Sequence, residues 1–363
     1  MKLSSATTYL SRGISPSYDT KGVVVLNQKC IRDNRVDLTL SRITNPDKKR
    51  ISEDKYLQQY DVVVNSTGVG TLGRVAQIKQ LSQPMTVDSH VTIVRPDLDQ
   101  YDASYFGYAM FFAQSQIERM GDGATGQTEL SRSRLGEEID IPEFSKNTQE
   151  KIGRILGAYD NLIENNSKRI EKLEAMARIL YRHAIETKDV EEVKMGDVAN
   201  IKWGDTSKTK KSYVPENNAF IAYSASGPDG FLPYFDYDQT GIVLSAIGAN
   251  CGKTWLARGK WSCIKNTIRY FTKSDVVSNE FLYLATEGGD VWPTRGSAQP
   301  FISQGDVIAS RVQILSDEGK MRELSKELSK YFELIDILSK RNHKLAQARD
   351  MLLPRLMSGE IKV

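Results

Sequence analysis

The sequence predicts an α+β protein in which two pseudo-symmetric mixed α/β domains are separated by two long helices packed as an antiparallel coiled coil. Three observations lead to this prediction: the 363-residue chain exceeds the usual length of one domain, it contains a long internal repeat, and each copy of the repeat ends in a heptad pattern. Hydrophobic residues make up 40% of the chain and charged residues 26%, which is the composition of a folded protein.

The internal repeat is clearest near the middle of the chain. At an offset of 172 residues, segment 159–173 aligns with segment 331–345 and shares eight identities in fifteen positions. Toward the N-terminus the order of matches is kept while the offset grows to 175 and then to 180, as loop insertions would cause. A single duplication of about 170 residues is therefore expected rather than a solenoid of short repeats.

Each copy begins with short β-branched or aromatic runs bounded by turn residues, which predict strands. These runs are 23–26, 62–64 and 91–94 in the first copy, and 219–223, 241–244 and 267–271 in the second. Helices are predicted at 105–119 and 279–286.

A heptad pattern follows in each copy and predicts a long helix with an apolar seam. The seam residues are Leu156, Tyr159, Ile163, Ile170 and Leu173 in the first copy, and Leu328, Tyr331, Ile335 and Leu345 in the second. Packing of each helix against its own domain is the simpler alternative, but the recurrence of the pattern favours a two-helix coil. A pseudo-two-fold axis would make the two helices antiparallel and place a domain at each end.

Charge and composition restrict the classes of function. Lysine and arginine exceed the acidic residues by only three, so any DNA-binding surface must arise from local arrangement. Apolar runs are too short to span a membrane and the N-terminal sequence lacks an apolar signal core, so we expect a cytoplasmic protein. The three cysteines and three histidines are scattered singly, which predicts neither a metal site nor a disulfide framework.

Motifs for catalysis are incomplete. Residues 251–254 read CGKT, but a phosphate-binding loop would need glycine at position 247, which is isoleucine. The acidic residues and lysine in segment 46–55 resemble a nuclease metal site, yet their spacing is short and the second copy has nothing similar. No nucleophile elbow or adenine-methyltransferase motif is present, so we predict no catalytic residues, no metal and no cofactor in this chain.

Polar and basic loops between the strands recur at equivalent places in both copies. Such loops can be merely solvated turns, but they combine cations suited to phosphates with side chains that can read base edges. We therefore predict contacts to DNA from Arg12, Ser15, Tyr18, Gln28, Lys29, Arg32, Asn65, Ser66, Thr67, Arg74, His90, Gln127 and Arg132 in the first copy, and from Lys208, Lys210, Lys211, Tyr223, Ser226, Ser245, Asn250, Lys253, Lys265, Asn266 and Gln299 in the second.

Several of these segments give the chain its resemblance to a known family, the specificity subunits of type I restriction-modification systems. The tail LLPRLMSGEI at 352–361 closely resembles the C-terminal signature of that family. Segments 64–74, 131–135 and 296–300 and the duplicated helices support the resemblance, which covers essentially the whole chain.

The resemblance implies target-recognition domains at 1–146 and 191–315, a central ruler helix at 147–190, a C-terminal long helix at 316–350 and a signature tail at 351–363. Each target-recognition domain would read one half of an asymmetric bipartite site on double-stranded DNA. The implied partners are two modification subunits that bind S-adenosylmethionine and methylate adenine, and restriction subunits that use ATP and Mg²⁺. Those cofactors are expected on the partner subunits.

Two other function classes remain as alternatives. A structural scaffold would use the coil to bind protein helices and the end domains to bind proteins or glycans, without sequence-dependent protection of DNA. A self-sufficient ATPase would use Lys253 and Thr254, and replacement of Lys253 would then abolish hydrolysis by the chain alone.

Overall fold

The chain folds into two compact units in the computed structural model, which describes residues 1–121, 129–216, 219–288, 290–296 and 298–363. Unit 1 consists of Met1–Glu164 together with His343–Val363, and unit 2 consists of Asn165–Asn342. Unit 1 is therefore assembled from two distant stretches of sequence, whereas unit 2 is continuous. None of the helices in the described ranges combines the length and the apolarity that a bilayer span requires.

Unit 1 begins with strands and continues into helices. Its elements are β1 (Thr7–Arg12), β2 (Tyr18–Leu26), β3 (Ile31–Arg32), β4 (Arg35–Val36), β5 (Arg42–Thr44), β6 (Val62–Asn65), β7 (Val75–Gln77), β8 (Met85–Val87), β9 (Val91–Pro96), α1 (Ala103–Arg119), α2 (Arg132–Glu138) and the first part of α3 (Lys146–Thr187). One sheet has the strand order β1-β9-β6-β7 and a second has the order β5-β2-β8. Strand β6 is buried along its whole length, as its run of valines predicts.

Unit 2 contains the rest of α3 and most of the elements that follow. These are β10 (Val190–Lys194), α4 (Met195–Val198), β11 (Ala199–Trp203), β12 (Phe220–Ser224), β13 (Gly227–Leu232), β14 (Tyr237–Asp238), β15 (Gly241–Ser245), β16 (Thr254–Ala257), β17 (Lys260–Cys263), β18 (Thr267–Thr272), α5 (Asn279–Thr286), α6 (Gln304–Ala309), β19 (Arg311–Leu315) and the first part of α7 (Glu318–Met357). Its two four-stranded sheets have the orders β11-β18-β15-β16 and β13-β12-β17-β14.

The two units share one topology. The sheet β1-β9-β6-β7 corresponds strand by strand to β11-β18-β15-β16, and both are antiparallel throughout. In the second sheets, β2 pairs in parallel with β8, and β12 pairs in parallel with β17. Unit 1 adds the hairpin β3–β4, and unit 2 adds β14 and the pair β10–β19. The predicted internal repeat is therefore confirmed at the level of strand connectivity.

The long helices α3 and α7 contribute to the core of each unit. In unit 1, Ile152 and Leu156 of α3 belong to the same core as Leu356 of α7, and Asp160 further along α3 pairs with Arg349. Residue numbers thus rise along one helix as they fall along the other. The helices pack as an antiparallel pair, and the predicted fold class is confirmed.

The helix pair also continues beyond its predicted C-terminal end. Helix α7 extends through Pro354 to Met357, past the predicted boundary at residue 350. Proline removes one backbone hydrogen bond, but the side chains of Leu353, Leu356 and Met357 on this last turn are buried in the core of unit 1. Part of the signature tail is therefore helical and serves as core for unit 1.

Candidate nucleic-acid interface

Three segments meet at one end of the β1-β9-β6-β7 sheet in unit 1. They are the loop that follows β6, the turn at 88–90 between β8 and β9, and the segment that leads into α2. The N–H of Ser66 donates to the carbonyl of His90 at 2.8 Å, and the N–H of Leu130 donates to the carbonyl of Ser66 at 2.8 Å. We call this set of segments the loop cluster of unit 1.

Unit 2 repeats the same backbone frame. The N–H of Ala246 donates to the carbonyl of Asn266 at 3.0 Å, and the N–H of Ile302 donates to the carbonyl of Ala246 at 2.8 Å. The recurrent polar loops that the sequence indicated are therefore equivalent in structure, and they form a loop cluster of unit 2.

The loop after β6 and the loop after β15 also have the same internal geometry. Gly68 has φ of 103° and its counterpart Gly248 has φ of 97°, a region that side chains rarely adopt. The carbonyl of Gly68 accepts from the N–H of Thr71 at 3.1 Å, and that of Gly248 accepts from the N–H of Cys251 at 2.9 Å. Both units thus present the same turn with different side chains.

The geometry of the second loop bears on the phosphate-loop alternative. The amides of Cys251, Gly252 and Lys253 donate to the carbonyls of Gly248, Ser245 and Asn250, respectively, at 2.9 Å in each case. A phosphate-binding loop needs such amides to point at the ligand. In addition, the loop joins two strands of a sheet instead of a strand and a helix. Both features disfavour nucleotide binding at Lys253.

Side chains of unit 1 extend the cluster. The hydroxyl of Thr67 lies 2.8 Å from Nδ1 of His90 and 3.3 Å from Oε1 of Gln28. Because a hydroxyl has a single proton, both hydrogen bonds form when Nδ1 of His90 donates to Thr67 and the hydroxyl of Thr67 donates to Gln28. Burial raises the pKa of Asp88, which caps the turn by accepting from the N–H of His90 at 2.9 Å.

An open groove of about 740 Å³ lies beside these segments in unit 1. Its charged lining residues are Arg12, Lys55, Arg132 and Glu129, so cations predominate.

Arg12 forms an ion pair with Glu129 and donates to the carbonyl of Leu130 at 2.8 Å. Lys55 donates to the hydroxyl of Ser11 at 2.6 Å, which gives this residue of the nuclease-like segment a structural contact.

Several predicted DNA contacts are buried. Asn65, Ser66 and Ser245 have no exposed surface, and Tyr223 is 7% exposed. Asn65 donates to the carbonyls of Gln28 and Thr71 at 2.9 and 3.1 Å, and Ser245 donates to the carbonyl of Ala225 at 3.0 Å. Tyr223 packs edge to face on Trp261. The hydroxyl of Ser66 lies 2.5 Å from that of Thr92. These contacts give the four side chains structural roles, and contact with DNA stays a prediction for them.

The remaining candidates of unit 1 fall into two groups. Gln28, Thr67, Arg74 and His90 belong to the loop cluster, where Arg74 donates to the carbonyl of Gly70 at 2.8 Å. Others lie elsewhere on strands and loops: Ser15, Tyr18, Lys29 and Arg32 are exposed, and the guanidinium of Arg42 stacks on Tyr18 at 3.3 Å from the ring centroid. Gln127 lies outside the described residues.

In unit 2 the candidates form two neighbourhoods. Asn250, Lys253, Asn266 and Gln299 lie on segments of the loop cluster. A second neighbourhood centres on Asp229, which contacts Lys210 and accepts from Tyr213 at 2.8 Å, while Lys210 donates to Ser226 at 3.0 Å. Lys208 and Lys265 are joined through their backbones at 3.2 Å, and Lys211 is exposed.

The predicted coil seam lies on the inner sides of the helices. Its nine residues are all buried or half-buried: Leu156, Ile163 and Leu328 are buried, and Tyr159, Ile170, Leu173, Tyr331, Ile335 and Leu345 are half-buried. Polar residues interrupt the seam. In unit 2, Asn166 donates to Asn342 at 2.9 Å, and in unit 1 the guanidinium of Arg349 donates to Asp160 at 2.6 Å.

The arrangement around Asp160 was not predicted from the sequence. Its carboxylate also accepts from the hydroxyl of Tyr108 at 2.6 Å and from Lys79 at 3.2 Å. Burial by itself would raise the pKa of Asp160, but Lys79, Tyr108 and Arg349 together hold it below its usual range. Among the described residues, no group of three or more His, Cys, Asp or Glu side chains is placed to hold a metal ion.

Comparison with known proteins gives a consistent result. The sequence model of the type I restriction modification DNA specificity domain matches the chain twice, over residues 16–175 and 187–347. The type I restriction enzyme MjaIX specificity subunit of Methanocaldococcus jannaschii is 23% identical over 304 residues, covering 72% of this chain and 69% of that protein. The crystal structure of a type I S subunit from M. genitalium shares the fold, with a TM-score of 0.61 at 18% identity over 98% of this chain and 95% of the other. Because the two family matches cover most of the sequence, the chain belongs to the family of type I restriction-modification specificity subunits.

Proposed function

We propose that this specificity subunit reads an asymmetric bipartite target on double-stranded DNA, with each unit reading one half-site. The observation that carries the proposal is the pair of loop clusters, in which one hydrogen-bonded backbone frame presents different side chains in the two units. A rigid frame with variable side chains suits direct readout, in which base edges are distinguished by donors, acceptors and apolar groups.

Phosphate contacts would supply most of the affinity. In unit 1 the groove with Arg12, Lys55 and Arg132 is suited to a DNA backbone, and in unit 2 the exposed Lys211, Lys253 and Lys265 offer similar charges. Since the net charge is only +3, we propose that tight binding needs the assembled complex.

The domain roles follow from the family. We assign target recognition to residues 1–146 and 191–315, the ruler function to the helix at 147–190 and its partner at 316–350, and a shared structural role to the tail at 351–363. The chain itself would hold no catalytic residue, metal or cofactor. S-adenosylmethionine would bind to the modification subunits, and ATP with Mg²⁺ to the restriction subunits.

The surface of the helix pair supports recruitment of two like partners. Large apolar side chains remain exposed at Leu162 and Met351 in unit 1, and at Leu334 and Ile179 in unit 2. At the repeat offset of 172, Leu162 corresponds to Leu334 and Ile179 corresponds to Met351. With Leu156 and Leu328 at heptad position a, all four fall at positions c or g, which adjoin each other on the same side of a helix.

Equivalent apolar positions in the two units would engage equivalent partner surfaces. We therefore propose that each unit binds one modification subunit through this side of its helices, with a helix as the matching surface. Replacing Leu162 and Met351 by serine should remove one of the two modification subunits from the complex, as measured by native mass spectrometry. Replacing Leu334 and Ile179 is the matched change in unit 2.

An exchange experiment tests the readout. Residues 1–146 are replaced by the corresponding segment of another family member, and methylated adenines are mapped across the host genome. One half of the methylated motif should change while the other half is retained, and exchange of residues 191–315 should have the converse effect. A motif that is unchanged after the exchange, or methylation by the unmodified complex without any defined motif, would refute the proposal and favour the scaffold alternative.

The ruler role has its own test. Seven residues are inserted after Glu164 in α3 and seven after Asn342 in α7, which preserves the heptad phase and lengthens the helices by about 10 Å. The preferred spacer should then lengthen by about three base pairs, since B-DNA rises about 3.4 Å per base pair. Methylation at the original spacing would count against the ruler.

A further inference from the structure

The tip of the loop after β6 carries an exposed apolar side chain. Among the large hydrophobic side chains that the structure describes, Val69 is the most exposed, at 78%. It lies between Gly68 and Gly70 in the loop cluster of unit 1, and the sequence prediction of DNA contacts did not include it.

Hydrogen bonds hold this tip in place. The carbonyl of Gly68 accepts from the N–H groups of Thr71 and Leu72 at 3.1 and 3.0 Å, and the carbonyl of Gly70 accepts from the guanidinium of Arg74 at 2.8 Å. Apart from Gly70 itself and its two chain neighbours, no heavy atom of the described residues lies within 4 Å of the position that a Cβ would occupy at Gly70. Val69 is therefore presented on a braced turn beside open space.

The neighbours of Val69 in the loop cluster are polar. The hydrogen-bonded chain of His90, Thr67 and Gln28 lies at the base of the loop. In the major groove, the 5-methyl group of thymine is the apolar feature among the donors and acceptors of the base edges, and apolar side chains contact it. A tip that places an apolar group beside polar ones matches that pattern.

We propose that Val69 reads the 5-methyl group of a thymine in the half-site that unit 1 recognises. This inference rests on the proposed function, since it requires unit 1 to read DNA. In unit 2 the corresponding tip residue is Ala249, which follows Gly248 and has a smaller side chain. Because alanine lacks the two γ-methyl groups of valine and reaches less far, we assign the thymine contact to unit 1.

The test uses the full-length subunit in complex with its modification subunits. Duplexes that contain the methylated motif are prepared with each thymine of the unit 1 half-site replaced in turn by uracil, which lacks the methyl group. For the unmodified complex, one replacement should slow methylation at limiting DNA concentration by about four-fold, which is the effect expected from the free energy of burying one methyl group. For Val69→Ala, which lacks both γ-methyl groups, most of the difference in rate between thymine and uracil at that position should be lost.

Matched variants separate this contact from general effects on the loop. Val69→Thr keeps the shape and one methyl group and should retain an intermediate preference for thymine. Leu98→Ala removes another exposed apolar side chain of unit 1, beyond the far end of β9, and should keep the full preference. Thermal unfolding should be the same for all these variants and the unmodified protein.

The outcomes are distinguishable. A defined motif with no thymine in the unit 1 half-site, or a preference for thymine that is undiminished in Val69→Ala, overturns the role of Val69 and leaves the proposed function intact. Methylation without any defined motif in the unmodified complex overturns the proposed function and this inference together.

Discussion

Unit 1 and unit 2 share their strand order and their loop frames, but they differ where the sheets meet the long helices. At the repeat offset of 172, Asp160 of unit 1 corresponds to Phe332 of unit 2. The buried carboxylate of Asp160 pairs with the buried Arg349 and the partly exposed Lys79, and it accepts from the hydroxyl of Tyr108. Phe332 instead packs edge to face on Tyr283, with the guanidinium of Arg258 at 5.7 Å from its ring centroid.

This contrast shows which parts of the repeat are constrained. Backbone hydrogen bonds in the loop clusters are nearly identical in the two units, whereas side chains both at the loop tips and at the helix contacts have diverged. A buried carboxylate needs cations and donors to offset its desolvation, whereas an aromatic ring needs only close packing. The two units therefore have the same fold, but substitutions at equivalent interior positions should affect their stability differently.

Removal of the buried carboxylate should have the largest effect. Asp160→Ala leaves the guanidinium of Arg349, whose side chain is 8% exposed, without its main partner, and the free energy of unfolding of unit 1 should fall by about 3 kcal/mol. Hydrogen exchange resolved by unit is the measurement, and unit 2 should change little. Asp140→Ala, which removes an exposed ion pair with Lys2, is the control and should cost less than about 1 kcal/mol. A loss of similar size in both variants would contradict the contrast.

Low pH should reduce the contribution of Asp160 to the stability of unit 1. The pKa of Asp160 is lowered in the folded state, so its contribution to stability is present above the unfolded value of about 3.9 and is lost as the pH falls through the folded value. The gap in stability between the unmodified protein and Asp160→Asn should therefore be largest above about pH 5 and should shrink below about pH 4. Denaturant unfolding at several pH values measures it, and a gap that does not depend on pH would argue against an ionised Asp160.

Replacing the polar pair in the helices of unit 2 should raise stability, in contrast to the loss expected for Asp160→Ala in unit 1. Replacing Asn166 and Asn342 together by leucine removes their part-buried hydrogen bond and the longer one from Asn342 to Ser167 at 3.3 Å, and adds apolar packing at two seam positions. Unit 2 should become more stable by about 1 kcal/mol. Replacing Asn342 alone leaves the side-chain amide of Asn166 without its acceptor and should destabilise the unit. Denaturant midpoints of the single and double variants decide the point, and destabilisation by the double variant would show that the asparagines do more than pair.

The smallest expected effect distinguishes the equivalent cations of the two loops. Lys253 is exposed, so Lys253→Ala should weaken DNA binding uniformly and reduce the salt slope by about one. Arg74 braces Gly70, so Arg74→Ala should mainly lower discrimination in the unit 1 half-site. Affinities for specific and mismatched duplexes at several salt concentrations separate the two effects. Equal loss of discrimination for both would contradict the assigned difference.

Periodicity and repetition predicted most of the architecture. The predicted helix 279–286 has the same bounds as α5, and the predicted strands at 62–64 and 91–94 lie within β6 and β9. Apolar runs bounded by turn residues are strong local signals. The hairpin β3–β4 and the short helices α2 and α6 had no such signal, because their order depends on capping side chains such as Ser131 and Ser303 and on tertiary contacts.

The candidate interface was predictable at the level of loops and less so at the level of side chains. Repetition indicated which loops matter, but Asn65 and Ser245 are buried because strands β6 and β15 are covered on both faces. Val69 was missed because an apolar residue within a polar loop gives no sign of its exposure. The pairing of Asp160 with Arg349 depends on the register of two helices far apart in sequence.

The discontinuity of unit 1 has a consequence for biosynthesis. Unit 2 occupies one uninterrupted stretch, Asn165–Asn342, and all of it is synthesised before His343–Val363. Unit 1 needs Leu353, Leu356 and Met357 from that late segment to fill its core. The half of the protein that is translated first should therefore be the half that finishes folding last, and until then its exposed apolar surface would be a natural target for chaperones.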